Sequence, residues 1–99
     1  MSAWVHRYIE TWRGGNCWRL FADIQSRIFR RDWQALDKAT MVDTPQDGDA
    51  LLVSLGKDLH IGTFVGEIVI HTYGQRAVLQ SPSHIPGKRV GVYRCPPAR

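Results

Sequence analysis

Apolar residues recur at two different periods along this chain, and the change of period divides it. Near the start, Trp4, Val5, Tyr8, Ile9 and Trp12 fall three and four residues apart, one stripe of a helix that Ser2 is placed to cap. Gly14-Gly15 breaks that run. Asn16 then stands where an N-cap belongs. Cys17, Leu20, Ile24 and Ile28 share one face of a second helix, predicted from residue 17 to residue 29 or 30, and that face must be the buried one. Asp32 is placed to cap a short third helical segment through Trp33, Ala35 and Leu36. The polar stretch Asp43-Thr44-Pro45-Gln46-Asp47-Gly48-Asp49 reads as a loop.

Past that loop the pattern alternates or runs continuously apolar. Strands are predicted over 50–55, 59–65, 68–73, 76–80 and 89–94. Gly56-Lys57, Gly66-Glu67 and Gly74-Gln75 each put glycine at the first central position of a two-residue turn, the type II′ hairpin signal. Ser81 to Lys88, with Pro82 and Pro86, is a longer connection. Helices first and an antiparallel meander second predict an α+β fold. N-terminal helices pack on a C-terminal antiparallel β-sheet of about five strands, in one domain spanning residues 1–99.

Composition adds exclusions. Hydrophobic residues make up 43% and charged residues 22%, ordinary for a soluble globular protein. No apolar run approaches the ~20 residues of a membrane span, and residues 1–7 contain no continuous apolar segment of a signal peptide. Synthesis in the cytoplasm and no membrane partner are expected. The net charge of +4 suits an anionic partner such as nucleic acid or bacterial cell wall. The basic residues are scattered, however. The densest group, Arg27, Arg30 and Arg31, lacks the interleaved aromatics of a base-stacking surface and reads as a solvated helix end, so nucleic acid is not expected. Cys17 and Cys95 can pair, but a chain without an export signal favours free thiols. No His/Cys cluster has metal-ligand spacing, so no metal is expected.

Two features carry candidate chemistry. Cys17 occupies the first position of a helix, where the positive end of the macrodipole favours thiolate over thiol. A small buried hydrophobe is the alternative role for such a cysteine. The second feature comes from registering the hairpin at Gly66-Glu67. A two-residue turn pairs Val65 with Ile68, Phe64 with Val69, Gly62 with His71 and His60 with Tyr73. His60 and His71 then lie diagonally on one face, and Gly62 leaves room between them. If the second helix covers that face, Cys17 approaches His60. His60 would take the thiol proton, His71 would hold His60 in a useful tautomer, and the Cys17 backbone N–H would point at a developing oxyanion.

These residues resemble a family. Gly14-Gly15-Asn16-Cys17-Trp18-Arg19-Leu20, then Pro45-Gln46-Asp47-Gly48-Asp49-Ala50-Leu51-Leu52, then Leu59-His60-Ile61-Gly62-Thr63-Phe64-Val65, then Val69-Ile70-His71 are similar in order to the motifs of NlpC-type cell-wall peptidases, papain-like cysteine hydrolases. The closing run Arg89-Val90-Gly91-Val92-Tyr93-Arg94 is similar to the end of phage tail-assembly members. The resemblance implies Cys17 as nucleophile, His60 as base and His71 as orienting residue. It implies peptidoglycan peptide stems as substrate, an acyl-enzyme, and no metal or organic cofactor. Trp12, Trp18 and Arg19, around the cysteine, are the candidate substrate-binding residues. Trp18-Arg19 stands where the family has a small residue and glycine, and the family's upstream tyrosine has no clear match. Delivery by a phage tail, with tail proteins as partners, and an interbacterial toxin with an immunity protein are both compatible with this reading. A non-catalytic structural or binding protein on the same fold, such as a phage tail component, is the alternative.

Overall fold

The structure is a computed structural model and describes residues 2–98, with the side chain of Leu36 outside that description. Helix α1 spans Ala3–Thr11 and helix α2 spans Cys17–Ile24. A six-stranded antiparallel sheet follows: β1 (Thr40–Met41), β2 (Ala50–Ser54), β3 (Leu59–Val65), β4 (Ile68–Tyr73), β5 (Arg76–Gln80) and β6 (Lys88–Arg94). The α+β class is as the change of period predicts. Among the described residues no helix is long and apolar enough to cross a membrane.

The helices differ from expectation at their ends. Ser2 sits at the α1 N-cap position, but its side chain makes no capping bond. Asn16 does cap α2, its Oδ1 accepting from the Arg19 N–H at 3.0 Å. The second helix is not α-helical to residue 29: at Gln25 it widens into a π-helical turn, Gln25–Phe29. Gln25 is fully buried there, and its Nε2 donates to the Gly48 carbonyl at 2.8 Å. Arg30 ends the turn in the left-handed conformation, φ 54°, a place glycine more often holds. The third segment, Trp33–Lys38, is a 3-10 helix kinked at Ala35. Asp32 caps it through the Gln34 N–H at 3.1 Å.

Strands β2 to β5 form the predicted meander, and their boundaries match within a residue. Gly66 and Gly74 have φ of 62° and 63°, while Glu67 and Gln75 stay at negative φ, the signature of type II′ turns. The last strand does not extend the meander. The sheet order is β1-β6-β2-β3-β4-β5, so β6 crosses back to the free edge of β2. The two-residue β1 pairs outside it and makes six strands rather than five.

Side chains alternate between the two sheet faces, and each face has its own core. On one, Leu20, Phe21 and Ile24 of α2 and Val5 of α1 bury Ala50, Ile61, Ile70 and Ala77. On the other, Leu51, Val53, Phe64, Val69 and Val92 are buried with Ile85 of the β5–β6 connection. Full burial of one such leucine, isoleucine or phenylalanine contributes about 1.5–3 kcal/mol. Helix α2 thus lies on the Ile61–Ile70 face. His60, Gly62, Phe64, Val69 and His71 belong to the opposite face, so α2 does not cover the histidines, contrary to expectation.

Candidate active site

The β3–β4 hairpin has the expected register where it is tightest: Val65 pairs with Ile68, Phe64 with Val69 and Thr63 with Ile70. There the ladder stops, short of the expected Gly62–His71 and His60–Tyr73 pairs. Beyond it, β3 follows β2 as far as Ser54–Leu59, and β4 follows β5 as far as Tyr73–Arg76. The paired β3–β4 ladder therefore ends before the far ends of the two strands. A cavity of about 390 Å³ occupies this end. Asn16, Cys17 and Thr72 line it from the helix-bearing side; His60, His71 and Gln80 line it from the other. One cavity at this end of the sheet, not a helix laid over the histidines, brings Cys17 and both imidazoles to a common lining.

Cys17 enters the cavity because it is the first residue of α2. Its neighbours Leu20, Phe21 and Ile24 anchor the helix on the sheet, and Asn16 fixes its start. The thiol is free and half-buried, packed on the cluster of Phe21, Ala50, Ile61 and Cys95. Cys95 is also free but buried at 3% exposure, and burial pushes its thiol up, away from reactivity.

The histidines meet directly. His60 Nε2 and His71 Nδ1 are 2.8 Å apart, and the rings are nearly perpendicular at 84°. Burial lowers the His60 pKa below its ordinary value, and the neighbouring His71 lowers it further. Burial also lowers that of His71, against the hydrogen bonds with Gln80 and the Thr72 backbone, which raise it. Both rings are therefore neutral near pH 7. Gln80 completes the chain: His71 Nε2 lies 2.8 Å from Gln80 Oε1. Gln80 is not among the residues expected from the sequence, although the second hairpin carries a signal for it. Registering the Gly74-Gln75 turn pairs His71 with Val78 and Val69 with Gln80, which puts Gln80 diagonally beside His71 on the same face.

Gly62 is required where it stands. A Cβ built there would lie 2.5 Å from Val69 Cγ1 and 3.1 Å from His71 Cβ. Gly62→Ala is expected to destabilise the fold by about 1–3 kcal/mol through overpacking and to displace His71. Denaturant unfolding, together with the imidazole resonances, checks both effects; unchanged His71 resonances would contradict the second.

The residues expected to bind substrate lie elsewhere. Trp12, Trp18 and Arg19 line a separate groove of about 460 Å³ on the outer side of α2, with Trp33 at its end. Only Asn16 is shared with the histidine cavity. Arg19 is exposed, and its guanidinium turns back to the Gly14 carbonyl at 3.4 Å, so the cation does not intrude between helix and sheet. Trp12 packs over Gly15, where a Cβ would meet its ring at 2.8 Å.

The Pro45-Gln46-Asp47-Gly48-Asp49 loop does not line the cavity; it is a structural knot. Asp49 is fully buried and takes Arg94 in a two-pronged pair, Nε to Oδ1 and Nη2 to Oδ2, both at 2.9 Å. Arg31 joins at 3.2 Å and the Gln46 N–H at 2.8 Å. Among the described residues no cluster of His, Cys, Asp and Glu is arranged to hold a metal ion. No protein-family model matches this sequence, and no curated protein does.

Proposed function

We propose that the protein is a cysteine hydrolase that cleaves amide bonds in the peptide stems of bacterial peptidoglycan. The observation that carries this reading is the convergence of a helix-start thiol and a hydrogen-bonded histidine pair on one cavity. His60 takes the Cys17 proton as the sulfur attacks the scissile carbonyl carbon. The oxyanion of the tetrahedral intermediate meets the backbone N–H of Cys17, one of the unpaired donors of the first helical turn. Collapse breaks the C–N bond, His60 returns the proton to the leaving amine, and an acyl-enzyme remains. Water, deprotonated by His60, releases the acid and restores the thiol. A cavity of about 390 Å³ is adequate for part of a peptide stem. The motif resemblance supplies the substrate class, and the net charge of +4 suits an anionic wall.

A second reading is a non-catalytic structural or binding protein, such as a phage tail component. The packing of Cys17 on Phe21, Ala50 and Ile61 favours it, because a structural cysteine sits in such surroundings. Mass spectrometry of muropeptides incubated with the protein separates the two. Cleavage is expected with the wild type and is expected to be lost with Cys17→Ala. Intact muropeptides with the wild type, or equal cleavage by both proteins, would favour the second reading.

A further inference from the structure

The His60–His71 pair does not by itself decide which ring donates. A neutral imidazole carries one N–H and one lone pair, so the 2.8 Å contact forms equally well in either direction. One direction leaves His60 Nδ1 as a lone pair able to take a proton. The other puts a hydrogen there and makes His60 useless as a base. The hydrogen bond at the far end of the chain makes the choice. With the Gln80 amide placed so that Oε1 faces the ring at 2.8 Å, the oxygen offers lone pairs and no hydrogen, and His71 Nε2 is the donor. His71 Nδ1 is then the lone pair, His60 Nε2–H donates to it, and His60 Nδ1 is left bare.

We propose that Gln80 is a positioning residue that sets the tautomer of His60 through His71, leaving His60 Nδ1 as the proton-accepting atom of the site. The proposal rests on the reading of His60 as the base. Three strands supply the chain, His60 from β3, His71 from β4 and Gln80 from β5, and the register fixes the last two as diagonal neighbours. His71 is 3% exposed, so water is a poor substitute acceptor for its Nε2–H. Gln80 needs no contact with substrate to act in this way.

Long-range 1H–15N correlation spectra of the imidazole rings read the tautomers directly in the intact protein. In the wild type His60 is expected as the Nε2–H tautomer. Gln80→Glu, which can only accept, keeps it. Gln80→Leu, which removes the acceptor, converts His60 to a mixture of tautomers, and kcat falls about tenfold with KM unchanged, the scale of one lost hydrogen bond. A thermal melt confirms that the leucine variant is folded, and the glutamate variant tests the same point without loss of polarity. An Nδ1–H tautomer of His60 in the wild type, or the same tautomer in the wild type and Gln80→Leu, would overturn the proposal. The spectra need no substrate. Absence of muropeptide cleavage with the expected tautomers defeats the hydrolase reading alone, and cleavage with the wrong tautomer defeats the role of Gln80 alone.

Discussion

Asp49→Ala is expected to cost about 3–5 kcal/mol of folding stability, the scale of removing one partner from a buried ion pair. The carboxylate is completely shielded from water, and both its oxygens are occupied by Arg94, Arg31 and the Gln46 N–H. Alanine leaves two guanidinium groups facing an emptied site. It also removes the anchor that joins the Gln46 turn, the residue after the π turn, and the last strand. Domains of this size are stable by only about 5–15 kcal/mol, so the variant sits near the threshold of folding. Urea unfolding measures it; a loss under about 1 kcal/mol would show that the three partners re-solvate freely. Burial alone would raise the Asp49 pKa, but the Arg94 fork, the Gln46 N–H and Arg31 outweigh it and hold the carboxyl below its ordinary value. The folded value lies below the unfolded one, so this stabilisation is complete above about pH 3.9 and is lost as pH falls through the folded value. His60 and His71 are depressed too, and their contribution starts to fall below about pH 6.5. Wild-type stability is therefore expected to decline in two acid steps, and Asp49→Asn is expected to lose the lower one.

The legible parts of this chain are those decided within a few residues. Gly66-Glu67 and Gly74-Gln75 each fix a turn, each turn fixes a register, and the register carries His60 and His71 to one face. Asn16 fixes the start of α2 in the same local way. The side of the sheet taken by α2 is not a local matter. Ile61, Thr63 and Ile70 make one face apolar or small, while Phe64 and Val69 make the other apolar, so the pleat offers the helix two acceptable surfaces. The return of β6 to β2 is equally distant from any turn signal, since a connection through Pro82 and Pro86 allows either edge. Burial of Asp49 depends on that return, because Arg94 lies at the end of β6. The early end of the β3–β4 ladder belongs to the same class. It arises where each strand keeps its outer neighbour, a property of four strands rather than of one hairpin.

His60→Ala carries the largest expected effect on the proposed reaction, a fall in kcat of about 10²–10⁴-fold, the range of a positioned general base. In the proposed reaction His60 is the ring that exchanges a proton with Cys17, since both nitrogens of His71 are engaged, one by His60 and one by Gln80. KM is expected to change little, because the imidazole takes a proton from sulfur rather than holding the peptide. The sharper test is the double variant. A nucleophile and its base act as one unit, so adding His60→Ala to Cys17→Ala should lower the residual rate no further. His71→Ala should fall between, because His60 stays in place but loses the partner of its Nε2–H. Near-neutral pH suits this arrangement: with both histidine pKa values below their ordinary range, the base stays unprotonated down to mildly acidic pH. The acid limb of the wild-type rate profile should accordingly lie below about pH 6.5. Single-turnover rates on a muropeptide across pH 4–8 measure all of this. Independent, multiplicative losses from Cys17→Ala and His60→Ala would show that thiol and imidazole do not act on one another.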